Sequence, residues 1–124
     1  MLKVDRAEFE KMVAEAVANT PRPYRDRLDN IAFLVEDEPS AEQAAKLKLG
    51  PGGLLFGLYE GVPLTGRGGA TKILPDKITI FRKPLLAVSP TYEQLKQNVG
   101  RTVWHEIAHY FGLDHKRIRE LENR

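Results

Sequence analysis

His105-Glu106-Ile107-Ala108-His109-Tyr110-Phe111-Gly112-Leu113-Asp114-His115 has the spacing H-E-x-x-H-x-x-G-x-x-H and holds all three histidines of the chain. Residues four apart on an α-helix lie on one face, a turn from each other. His105 and His109 can therefore offer two imidazoles to one zinc ion, at metal–nitrogen distances of roughly 2.0–2.1 Å. Glu106 projects about 100° further round the helix. It stands beside such an ion rather than on it, where a carboxylate can take a proton from an attacking water.

The rest of the stretch depends on Gly112. In an uninterrupted helix His115 would lie about 80° off the face of His105 and almost three turns away. A glycine can adopt φ > 0 and end the helix, so that the chain turns and His115 returns toward the other two rings. His105, His109 and His115 are thus the expected metal ligands, and three protein ligands leave the fourth position open, the catalytic arrangement. Chance would produce the whole pattern in on the order of one in a hundred thousand chains of this length.

Outward from this motif, Ser89-Pro90 reads as an N-cap and first-turn proline of a helix running through Phe111. Val103, Ile107 and Phe111 lie opposite the histidines, so one face is expected in the core, with Trp104 beside it. Asp114 is the expected N-cap of a last helix over 116–123. Upstream, residues 5–19 carry Phe9, Met12, Val13, Ala16 and Val17 at helical spacing, with Asp5 as N-cap and Glu8 three residues on. Residues 31–35 read as a buried strand, Ser40 and Gln43 as the capping box of a helix to about Leu49, and 54–59 as a second strand. A glycine- and proline-rich stretch over 60–76 reads as a long loop, and 77–82 alternates as a half-buried strand. The order predicts an α+β fold, a small mixed β-sheet packed on helices, in one domain over residues 1–124.

Composition removes several function classes. There are 19 basic and 17 acidic residues, a net charge of +2. That balance, with no basic run interleaved with aromatics, argues against nucleic acid as a partner. The densest basic cluster, Lys116 to Arg119, runs into Glu120 and reads as a solvated helix face. With no cysteine, thiolate chemistry and cysteine-based zinc sites are excluded. No apolar window approaches the ~18 residues of a membrane span, and the charged N-terminus is unlike a signal peptide. A cytoplasmic monomer with no membrane partner is expected.

The chain resembles the minimal zincin-like metallopeptidases, small bacterial proteins. Four segments carry the resemblance: Val35-Glu36-Asp37-Glu38-Pro39; Leu58-Tyr59-Glu60-Gly61-Val62-Pro63-Leu64-Thr65; Leu74-Pro75-Asp76-Lys77-Ile78-Thr79-Ile80-Phe81-Arg82; and Thr102-Val103-Trp104 with the motif through Asp114. The resemblance implies a reduced zincin fold with little beyond the sheet and the helix bearing His105 and His109. Some members carry Asp at the position of His115, and Asp114 is the alternative third ligand. Metzincins proper have a methionine turn after the third ligand; here the methionines are Met1 and Met12.

The expected activity is zinc-dependent hydrolysis of a peptide or unfolded protein, with Glu106 as general base. Nickel or iron could occupy the same imidazoles. An extended substrate would pair with 77–82 as an edge strand, and Tyr110, Arg82 and Arg101 are candidate oxyanion donors. The alternative is a non-catalytic metal-binding or protein-interaction module that keeps the same helix.

Overall fold

Local rules set the helices, and one long helix organises everything else. The computed structural model describes residues 2–47, 54–62 and 75–122, with the side chains of His115 and Glu122 excepted. Helix α1 (Arg6–Ala18) starts at Asp5, whose Oδ1 accepts from the Glu8 N–H at 2.8 Å. Its buried stripe is Phe9, Met12 and Val13. A single 3₁₀ turn over Arg25–Arg27 leads to strand β1 (Ile31–Glu36). Helix α2 (Ala41–Lys46) opens with the expected capping box between Ser40 and Gln43 and ends at a Leu47 C-cap, short of the expected Leu49; residues 48 and 49 lie outside the described residues. Strands β2 (Gly57–Glu60) and β3 (Asp76–Phe81) follow; most of the expected 60–76 loop is outside the described residues. Helices α3 (Arg82–Ala87), α4 (Tyr92–Tyr110) and α5 (His115–Glu122) complete the chain.

The three strands form one mixed sheet in the order β1-β3-β2, β1 parallel and β2 antiparallel to β3. This is the α+β architecture the sequence predicts. The position of β3 is not. Read as an edge strand over 77–82, it is the central strand, bonded on both sides, and it ends at Phe81 because Arg82 opens α3. Alternating Lys77, Thr79 and Phe81 suggested an exposed face, yet Thr79 is only 3% exposed and Phe81 is fully buried. Alternation reports the two faces of a strand and says nothing of its neighbours.

Helix α4 buries Leu95, Val99, Val103 and Ile107, one per turn, against α1 and the sheet. Full burial of each such side chain contributes roughly 1.5–3 kcal/mol. Its N-cap is Thr91, whose Oγ1 accepts from the Gln94 N–H at 3.0 Å, and not Ser89. Ser89 is buried and already engaged: its hydroxyl donates to the Leu85 carbonyl at 2.6 Å and accepts from Asn98 Nδ2 at 2.9 Å. Among the described residues, no helix is long and apolar enough to cross a membrane.

Candidate metal centre

The site lies at the C-terminal end of α4, and the backbone there follows the glycine rule. Gly112 has φ 74°, the left-handed region that favours glycine. Its N–H donates to the His109 carbonyl at 3.0 Å and the Leu113 N–H to the Ala108 carbonyl at 3.1 Å. This pair of bonds is a Schellman motif, which satisfies the last carbonyls of the helix and turns the chain. Asp114 then caps α5, its Oδ1 accepting from the Arg117 N–H at 2.8 Å. His115, expected just before that helix, is its first residue.

His105 and His109 are half-buried on one face of α4, with ring centroids 4.7 Å apart and planes at 74°. Two imidazoles that close can share one ion at roughly 2 Å from a nitrogen of each. Glu106 faces inward and is only 7% exposed. Burial pushes its carboxyl up to about 7, against the opposing pull of the Tyr59 backbone N–H, which favours the charged form. The donor set of two neutral nitrogen ligands with a carboxylate alongside suits zinc.

Of the two candidates for a third ligand, Asp114 is exposed and committed to its cap. Among the described residues no three His, Cys, Asp or Glu side chains gather as an ion site, so Asp114 does not join the two rings. The side chain of His115 lies outside the described residues.

Strand β2 forms the facing wall. A Cβ at Gly57 would lie 2.8 Å from Thr102 Cγ2 and 3.1 Å from Glu106 Cγ, so only glycine lets the strand come this close to α4. Two residues on, Tyr59 anchors the strand. Its hydroxyl donates to Asp76 Oδ2 at 2.7 Å, and its ring meets Tyr110 edge-on at 6.2 Å. Between strand and helix runs a cleft of about 340 Å³, with Leu54, Leu55 and Phe56 on one side and Arg101, Thr102, His105 and Glu106 on the other.

Two expected oxyanion donors are elsewhere. Tyr110 is fully buried and its hydroxyl donates to the Asp29 carbonyl at 3.2 Å. Arg82 is held by Asp37 and the Val4 carbonyl, each at 2.8 Å. Arg101 alone of the three lines the cleft. Trp104 is partly buried against the core, edge-on to Tyr24. Gly57, Tyr59, Asp76 and Thr102 were not singled out from the sequence. A glycine inside an apolar run is a signal of close backbone approach and could have marked Gly57. Nothing local marks the pairing of Tyr59 with Asp76.

The chain belongs to the zincin-like metallopeptidase family, whose model matches residues 28–124. No curated protein is similar enough to count as a match.

Proposed function

We propose that this zincin-like metallopeptidase hydrolyses peptide bonds with zinc held by His105, His109 and His115 and with Glu106 as general base. The observation that carries the reading is that His105 and the buried carboxyl of Glu106 both line one cleft, with the His109 ring 4.7 Å from that of His105. A zinc ion bound there supplies Lewis acidity. Glu106 accepts the proton of the attacking water and delivers it to the leaving amine. Burial raises this carboxyl above the ordinary range in the metal-free site, which makes it a better proton acceptor than an exposed glutamate. The Tyr59 N–H steadies the charged form, and Gly57 leaves the space in which the carboxylate sits.

The substrate backbone pairs with β2 rather than β3. Among the described residues β2 is bonded to a strand on one side only, and Gly57 of β2 lines the cleft. An extended peptide can add to such an edge through main-chain hydrogen bonds.

The test compares wild type with Glu106→Gln on a peptide library in the presence of zinc. Loss of a general base removes roughly 10²–10⁴-fold in rate. We expect at least a ~100-fold drop in kcat/KM with zinc still bound at one per chain. Equal zinc binding with no turnover by either protein would instead make the domain a metal-binding module.

A further inference from the structure

The cleft has two chemically different sides. Leu54, Leu55 and Phe56 give it an apolar wall, and Leu54 is 51% exposed there. Facing them, α4 presents Arg101 one turn before His105. Arg101 is exposed and, among the described residues, holds no ion pair or hydrogen bond, so its charge is available to the cleft it lines. A cation left unpaired beside an apolar wall is suited to a ligand that brings both an apolar group and an anion.

Helix geometry fixes their spacing. At about 1.5 Å per residue, Arg101 stands roughly 7.5 Å along the axis from Glu106. An extended peptide laid along α4 advances about 3.3 Å per residue, so the axial part of this separation matches about two of its residues. We infer that the site selects peptides with a large apolar residue next to the scissile bond and a carboxylate about two residues beyond it. The apolar side chain packs on Leu54 to Phe56, and the carboxylate pairs with Arg101. The inference rests on reading the cleft as the substrate site. The carboxylate can be an Asp or Glu side chain or the free C-terminus of a short peptide.

A binding assay separates this inference from catalysis. Full-length Glu106→Gln, loaded with zinc, is titrated with labelled peptides followed by anisotropy. The peptides carry Leu, Phe or Ala at the apolar position. The position two residues on carries Glu in an amidated peptide, a free C-terminal carboxylate, an amidated neutral residue, or Lys. Leu and Phe peptides should bind at least ~10-fold more tightly than Ala. A carboxylate should add about two- to fivefold, as an exposed ion pair does. Adding Arg101→Glu should reverse that order in favour of Lys, and Arg101→Gln should level it. The two carboxylate arms show which source the site uses. Equal binding of acidic, neutral and basic peptides, no binding of any, or an order unmoved by Arg101→Glu would overturn the inference. Failure of wild type to cleave peptides that Glu106→Gln binds in the expected order would sink the hydrolytic reading and leave this one standing.

Discussion

The two sides of helix α4 are made by different rules. The rear carries Leu95, Val99, Val103 and Ile107, all buried and each replaceable in kind by another apolar side chain of similar volume. The front carries Arg101, Thr102, His105, Glu106 and His109, which line a cleft or flank it. The rear stabilises the fold. The front costs it something: a carboxyl is held where burial opposes its charge, and the facing strand must open with a glycine. That division teaches which residues serve packing and which serve chemistry, and substitutions on each side should part accordingly.

The rear should give the largest loss of stability. Leu95→Ala leaves a cavity in the α1–α4 core and is expected to cost roughly 2–5 kcal/mol in chemical denaturation. Zinc affinity of the folded variant should be unchanged; a comparable loss of zinc affinity would erase the division.

Glu106 should act with the opposite sign. Its folded pKa, about 7, is above the ordinary 4.5, so folding favours the protonated form. Below about 4.5 both states hold the proton and no cost appears. As pH rises from about 4.5 to about 7 the unfolded chain releases it first, and metal-free protein loses on the order of 3 kcal/mol. Urea midpoints of metal-free wild type and Glu106→Gln across this range should diverge, the variant becoming relatively more stable toward neutral pH. Parallel curves would mean that the carboxyl is not held in an unfavourable place.

The smallest effect is expected where the two elements touch. Gly57→Ala must push Thr102 or Glu106 aside by a few tenths of an ångström, an overpacking cost of roughly 1–3 kcal/mol. Activity on peptides should fall by more than this stability loss accounts for, because one of the two crowded groups is the proposed base. Unchanged kcat/KM would show that Glu106 tolerates the shift.

Much of this was legible in the sequence because it follows from nearest neighbours along the chain. The Asp5, Ser40 and Asp114 caps and the turn at Gly112 all obey short-range spacing rules, and so does the shared face of His105 and His109. What was misread needs a partner from elsewhere. The strand at 77–82 has the right period, but only the return of β1 and β2 to its two sides makes it central. Helix α3 was not read from the sequence at all, since Pro84 conceals it; the proline is tolerated because it falls in the first turn. Ser89 and Thr91 both suit a cap, and the choice falls to Thr91 because Asn98 and Leu85 claim the Ser89 hydroxyl. Tyr110 adjoins a histidine in sequence, yet its ring points into the core toward Asp29.

The central claim is that a third imidazole joins the two on α4, and a crystal soaked with zinc at neutral pH tests it most directly. The account predicts one ion bonded to His105, His109 and His115, with Glu106 beside it and unbound. A His115 ring directed into solvent, with the metal held by other groups or not held at all, would contradict it.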